Sequence, residues 1–430
     1  MQEHPVSKLV LALALLLATL AHAQPDPVDA YVRSEMQTRQ IPGLALLVVR
    51  DGKILKQQGY GLSNIELQVP VTPETVFQSG SVGKQFTATA IMMLVEEHKL
   101  SLDDSLTKFF PDAPASWKAV TIRHLLSHTA GFTDYPDNFD FRRDRTENQL
   151  LKLVESLPLA FPPGTKFSYA NLGYLTLGIV IHRVSGQLYG DFLHDRIFQP
   201  LDMKTRIISE ADIIPNRAAG YRLVKGQLKN QEWVAPSLNT TADGSLYFNI
   251  LDLAKWDAAL YTEKLLKRLS LEQMWTPVEL KDGKPNPEHY GFGWYMREQS
   301  GHRVIEHSGA WQGFNTSISR YVDDKLTVVV LTNLDGCRPI ELAHHVAGMY
   351  LTDAARIDGG PKDHAALFRY AAGISQQRRA AVLLNVARTR KFPDLGFAES
   401  WCVRGRGNVS GKSVSTGEIL LLCPLQRRCR

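Results

Sequence analysis

Cysteine is scarce in this chain, with four among 430 residues. That is too few for a disulfide framework, and a chain of this length buries a core large enough to need none. Hydrophobic runs are short as well. The run from Leu9 to Leu20, broken only at Thr19, falls well short of the ~20 residues a membrane-crossing helix needs. Neither charge sign dominates: 49 Lys+Arg stand against 44 Asp+Glu, a formal +5. With 44% apolar and 22% charged residues, the composition excludes a disordered or collagen-like chain. The basic excess is local, since residues 361–430 carry 13 Lys+Arg against 4 Asp+Glu, leaving 36 against 40 in residues 1–360. The body therefore has no basic surplus of the kind that points to nucleic acid. There is no internal repeat.

What the chain does have begins with an address. Lys8, the apolar run, and Ala21-His22-Ala23 are the three parts of a secretory signal peptide. The expectation is removal of residues 1–23, a mature chain from Gln24, and a secreted or periplasmic location with no integral membrane segment. No cysteine near the cleavage point indicates a lipid anchor. Residues 24–355 read as one body and 356–430 as a basic tail. In the tail, Asp363 to Arg390 has a helical pattern, and beyond Lys391 the sequence turns Arg-, Gly- and Ser-rich and holds Cys402, Cys423 and Cys429. Two readings of that stretch stand: a basic appendage, or out-of-frame translation.

Within the body, Gly43–Val49 and Lys53–Tyr60 flank Asp51-Gly52, a pair that predicts a hairpin because its tight turn requires positive φ. Gly83 to Glu96 is apolar on nearly every side, which predicts a buried helix. Residues 120–250 alternate short helical segments with loops such as Pro162-Pro163-Gly164. Tyr290–Arg297, Arg303–His307, Phe314–Tyr321 and Leu326–Asn333 then read as a strand meander, and Ile340–Tyr350 as a closing helix. The expected class is α+β: an antiparallel sheet of N- and C-terminal strands, helices packed on it, and a mainly helical middle.

The chemistry-bearing residues start with Ser81 and Lys84, three apart at the start of the buried helix and so on one helix face. A serine hydroxyl becomes a nucleophile when a neighbouring base takes its proton. Lysine can be that base only if burial depresses its pKa, and a helix buried all round supplies that burial. The spacing alone is degenerate. Ser105 and Lys108 repeat it in a polar loop after Asp103-Asp104, where a lysine stays hydrated and charged. Tyr169-Ala170-Asn171 is likewise echoed by Tyr247-Phe248-Asn249, and His307-Ser308-Gly309 by His289-Tyr290-Gly291.

Order and surroundings resolve the echoes. The stretches FQSGSVGKQFTATAIMMLVEEHKLSLDDSL, TIRHLLSHTAGF, PPGTKFSYANLGYLTLG, ADGSLYFNILDLAKW and HSGAWQGFNTSISRYVDDKLTVVVLTN together resemble the serine β-lactamase-like superfamily. That superfamily includes class C β-lactamases, D-alanyl-D-alanine carboxypeptidases, D-aminopeptidases and family VIII carboxylesterases. The resemblance runs from about Ile41 to Tyr350 and implies the following roles. Ser81 is the acylated nucleophile, with Lys84 as its base or proton relay. Tyr169 activates the serine or protonates the leaving group, and Asn171 binds the acyl side. His307, Ser308 and Gly309 border the cleft, and the backbone N–H groups of Ser81 and Ala310 form an oxyanion hole. No cofactor and no metal are implied, and the expected partner is a small-molecule ester, peptide or β-lactam. The alternative is a penicillin-binding sensor or pseudoenzyme that acylates without turnover.

Many β-lactamases carry Lys-Thr-Gly where this chain has His307-Ser308-Gly309. A histidine, largely neutral near pH 7, offers a β-lactam carboxylate no fixed cation. The His-x-Gly form resembles that of some DD-peptidases, D-aminopeptidases and esterases, which argues against efficient β-lactam turnover, although His307 retains the means to donate a hydrogen bond. His124 and His128 read as turn residues bonded to backbone. His344-His345 lacks a third metal ligand, and Trp311 fits either an acyl pocket or a core.

Overall fold

The computed structural model describes residues 26–207 and 212–357. The expected signal peptide and the tail beyond residue 357, with its helical stretch and three cysteines, lie outside the described residues. The fourth cysteine, Cys337, is a buried free thiol.

A helix that the sequence reading did not anticipate comes first, α1 (Pro27–Arg39). Asp26 caps it by accepting from the Val28 N–H at 2.8 Å, and Pro27 fills its first turn. Its apolar face is only Val28, Val32 and Met36, a stripe too thin to stand out in an otherwise polar segment. Strands β1 (Gly43–Arg50) and β2 (Lys53–Asn64) follow, joined as expected through Asp51 and Gly52 at φ 49° and 72°. After β3 (Val69–Pro70) and β4 (Phe77–Gln78), one 3-10 turn at Gly80–Gly83 opens into α2 (Lys84–Glu96). Every residue of α2 from Lys84 to Leu94 is buried.

The middle holds α3 (Ile122–Leu126), α4 (Glu147–Ser156), α5 (Asn171–Ser185), α6 (Tyr189–Leu193), β5 (Arg206–Ile207), and the hairpin of β6 (Tyr221–Val224) and β7 (Gln227–Asn230). Then come β8 (Leu246–Phe248), α7 (Ile250–Ala259) and α8 (Arg268–Met274). The chain ends its body with β9 (Tyr295–Gln299), β10 (His302–Trp311), β11 (Phe314–Tyr321), β12 (Leu326–Thr332) and α9 (Pro339–Ile357). The expected first strand of the meander, Tyr290–Arg297, is thus shifted. Tyr290 to Trp294 instead folds back, with Gly291 N–H bonded to Trp294 O and Gly293 at φ 77° against the Lys84 carbonyl.

The seven-stranded sheet runs β3-β2-β1-β12-β11-β10-β9, antiparallel between β1 and β2, β1 and β12, and through the meander. N- and C-terminal strands therefore share one sheet, as expected. The period-two alternation of side chains splits β1 between two layers. Ala45, Leu47 and Val49 join the cluster of α2, α5 and α7, whereas Leu44, Leu46 and Val48 join Val28, Leu342 and Val346 of α1 and α9. Among the described residues, no helix is long and apolar enough to cross a membrane.

One charged pair crosses between sheet and helical body. Arg320 on β11 donates through Nε to Asp257 Oδ1 on α7 at 2.7 Å, and Thr327 donates to the same oxygen at 2.8 Å. Both charges are buried, and the guanidinium lies against the rings of Tyr261, Trp275 and Trp294. Removing one member strands the other charge in the interior, which costs about 3–5 kcal/mol. Asp257→Ala is accordingly expected to lower the unfolding free energy by about that much in a denaturant titration. A loss under about 1 kcal/mol would show that the arginine is satisfied without its partner.

Candidate active site

Ser81 lies in the 3-10 turn ahead of α2, and that turn is pressed directly against β10. Gly80 takes φ 49°, and a Cβ added to it would fall 2.3 Å from the Ala310 nitrogen. On β10, a Cβ on Gly309 would fall 2.1 Å from Ser79 O and 2.7 Å from Ser81 N. Side chains at either position would drive the strand away from the serine. The contact is tied by Thr316 Oγ1, which donates to Ser79 O at 2.5 Å.

Lys84 begins the next turn, fully buried. Its Nζ faces Ser81 Oγ at 3.1 Å, Asn171 Oδ1 at 2.7 Å and the Asp243 carbonyl at 2.5 Å, and it lies 5.0 Å from the centre of the Tyr169 ring. Burial lowers its pKa to about 8, against the opposing pull of Asp243 and Asp134. The arrangement serves both charge states. An ammonium donates to all three oxygens. A neutral amine keeps its two hydrogens on Asn171 and Asp243, both pure acceptors at those atoms, and turns its lone pair to the Ser81 hydroxyl.

Tyr169 and Asn171 flank Ala170, the N-cap of α5. The Tyr169 hydroxyl is buried and meets no partner at hydrogen-bond geometry. Burial pushes its pKa well above the ordinary phenol value, with the Ser81 hydroxyl acting in the opposite direction, so the phenol holds its proton at neutral pH. Asn171 is fixed from two sides. Its Oδ1 accepts from Lys84, while its backbone N–H and Nδ2 donate to the two carboxylate oxygens of Asp134 at 3.2 and 3.0 Å. An acid at a helix N-terminus also complements the helix dipole.

His307 is buried, and its pKa falls to about 3 through that burial and the nearby Lys84. Its Nδ1 lies 2.6 Å from Ser308 O and its Nε2 3.1 Å from the Tyr290 hydroxyl. A carbonyl only accepts, so Nδ1 carries the proton and Nε2 accepts from Tyr290. Both ring nitrogens thus point into the protein, and the hydrogen bond that the sequence reading left open to the substrate is made to Ser308. Ser308 itself is exposed on β10. Trp311 is half-buried and donates through Nε1 to Asn239 Oδ1 at 2.8 Å.

The echoes of the motifs go elsewhere. Ser105 caps a 3-10 turn, and Lys108 is half-exposed and paired with Asp104 at 2.7 Å. Tyr247 is buried on β8, where its hydroxyl accepts from Gln78 Nε2, and Asn249 caps α7. His124 Nδ1 accepts from the Thr121 N–H in a capping box. His344 bonds Glu306 at 2.6 Å, and His345 stacks on Tyr31. The sequence reading missed Asp134, Asp243 and Tyr290. Asp243 meets Lys84 across 159 residues, so no local spacing marks it. Tyr290 enters the sequence reading as the start of a strand and as part of the decoy His289-Tyr290-Gly291, never as a site residue.

Residues 28–374 match the family model described as Beta-lactamase. Penicillin-binding protein 4* of Bacillus subtilis (strain 168) is 30% identical over 308 residues, covering 67% of each chain. Protein flp of Staphylococcus aureus (strain MW2) is 25% identical, covering 76% of this chain and 66% of its own. The chain thus spans about two thirds of the length of these curated relatives. Among solved structures, the octameric penicillin-binding protein homologue from Pyrococcus abyssi superposes with a TM-score of 0.68 at 30% identity, covering 76% of this chain and 77% of that one.

The geometry around Lys84 sets an expected outcome. Labelling of the protein by a fluorophosphonate probe should be abolished in Ser81→Ala and unchanged in Ser105→Ala. Its rate should rise with pH, because Lys84 must shed its proton before it can accept the serine's, with the midpoint near the amine's pKa of about 8. His307 has a pKa of about 3 and His128 is also held well below 6.5, so neither adds a step near pH 6.5. Persistent labelling of Ser81→Ala, or a rate flat from pH 6 to 9, would contradict the assignment.

Proposed function

The chain belongs to the β-lactamase family within the serine β-lactamase-like superfamily, and from that premise together with the site geometry we propose that it is an exported serine hydrolase. It cleaves ester or amide bonds through an acyl-enzyme on Ser81. The observation that carries this reading is the contact of a fully buried lysine amine with the Ser81 hydroxyl at 3.1 Å. Neutral Lys84 takes the hydroxyl proton as Oγ attacks the substrate carbonyl carbon. The resulting oxyanion is bound by the backbone N–H groups of Ser81 and Ala310, in segments that the two glycines bring into contact. Tyr169, which keeps its proton, gives it to the departing group. Water then attacks the acyl carbon, and the same groups return the serine. Lys84 rather than Tyr169 is the base in this scheme, because its pKa of about 8 lies near neutral pH while the phenol's is driven upward.

The electrostatics favour neutral substrates. His307 supplies no cation, and the exposed charge beside Asn171 is the Asp134 carboxylate. A substrate bearing a carboxylate, as a β-lactam does, gains no counter-ion here and meets a like charge. Short uncharged esters and D-amino-acid amides, which carry no carboxylate, are the substrate classes that fit best, with β-lactams and peptides ending in a free carboxylate turned over weakly. Export rests on Lys8, the apolar run and Ala21-His22-Ala23, and the body acts without nucleic acid or cofactor.

Two measurements test the reading. In pre-steady-state kinetics with p-nitrophenyl acetate, a burst should be followed by linear turnover. A burst that stops at one equivalent would mark a sensor that acylates once. Lys84→Ala and Tyr169→Phe should each lower kcat by about 10² or more, and the double variant should be little worse than the poorer single one, as for groups sharing one proton-transfer chain. Multiplicative losses would mean the two act independently.

A further inference from the structure

His128 is the buried titratable group at the site that the scheme above leaves without a task. It takes φ 56°, in the left-handed region where histidine and asparagine are among the few tolerated residues. From there it grips the chain on both sides of Tyr169. Its carbonyl accepts from the Ser168 N–H at 2.9 Å, and its ring Nδ1 accepts from the Ala170 N–H at 3.2 Å. The imidazole also lies against the Tyr169 ring with centroids 4.1 Å apart. On its other sides it contacts Tyr174 and Tyr290 at 5.0 and 4.9 Å.

We infer that His128 is a positioning residue for Tyr169, fixing the backbone at residues 168 and 170 and the plane of the phenol between them so that its hydroxyl is held toward Ser81. This rests on the serine-hydrolase reading and adds to it a group that touches no substrate. The Tyr169 hydroxyl meets no partner at strict hydrogen-bond geometry, and the Ser81 hydroxyl is the group it faces, so the direction of the phenol depends on its ring and on the two peptide groups beside it, and His128 holds all three. Because Nδ1 accepts from a backbone N–H, the ring's single proton is on Nε2 and the imidazole is neutral. Burial keeps it so, pushing its pKa well down, and a second cation beside Lys84 is thereby avoided.

The test separates the backbone grip from the stacking. His128→Phe keeps an aromatic ring but loses the acceptor for Ala170. His128→Asn tolerates the left-handed backbone and places an amide oxygen near the position of Nδ1. With p-nitrophenyl acetate, His128→Phe should lower kcat on the order of 10- to 100-fold, the scale of a small misplacement of a catalytic group, while KM stays within about twofold. His128→Asn should recover most of that loss. In a Tyr169→Phe background, His128→Phe should cost less than about twofold more. Full kcat in His128→Phe, or an undiminished loss in the Tyr169→Phe background, would overturn the inference. Loss of labelling in Ser81→Ala would leave the hydrolase reading standing in either case. If His128→Phe does not fold, His128→Leu, which likewise lacks the acceptor, takes its place beside His128→Asn: a loss of kcat in the leucine variant that asparagine recovers supports the grip, and no loss, or equal losses in both, refutes it.

Discussion

The site depends on one amine held out of water. An isolated lysine in an interior is costly, because burial removes the hydration of its charged form. Here three oxygens meet Nζ, the Ser81 hydroxyl from one turn away and the Asn171 amide and Asp243 carbonyl from distant parts of the chain. They are enough to hold the charge and not enough to fix it. The carboxylates of Asp243 and Asp134 pull the pKa upward while burial pulls it down more strongly. The result is an amine that changes charge close to neutral pH, as the proposed base requires, a balance that exposure of the amine or a direct carboxylate partner would destroy.

Around that amine the fold serves to keep water out and backbone in. Helix α2 is buried from Lys84 to Leu94, so Lys84 at its first residue is covered. The same helix start brings Ser81 against β10, where glycines at 80 and 309 remove the side chains that would separate the two backbones. Asn171 and Tyr169 arrive together because they straddle the N-cap of α5, and Asp134 and His128 pin that helix end from the preceding turn. Tyr290 reaches His307 because the chain reverses at Tyr290–Trp294 rather than continuing as a strand.

What the sequence made legible follows the range of the physics. The Asp51-Gly52 turn, the all-round apolar α2 and the last two strands are governed by neighbours in the chain, and they fall where local pattern places them. The serine–lysine pair was legible for the same reason, since residues three apart across one helical turn are neighbours by geometry. Elements set by distant packing were not. Helix α1 is held by a stripe of three apolar residues, and Tyr290–Arg297 has strand composition but is bent by Gly291 and Gly293 packing against α8 and α2. Asp134 and Asp243 carry no local mark at all, because their meaning lies in what they face across the fold. His128 shows the intermediate case: sequence placed it as a turn histidine bonded to backbone, and the identity of that backbone, on either side of Tyr169, needed the structure.

The most direct measurement of the central claim is a titration of Lys84 itself. In Ser81→Ala protein carrying isotope-labelled lysine, NMR of the Lys84 side chain should show the amine losing its proton with a midpoint near 8, about two units below an ordinary lysine. An amine that stays charged to pH 10 would contradict the account, because a lysine that cannot become neutral cannot take the serine's proton.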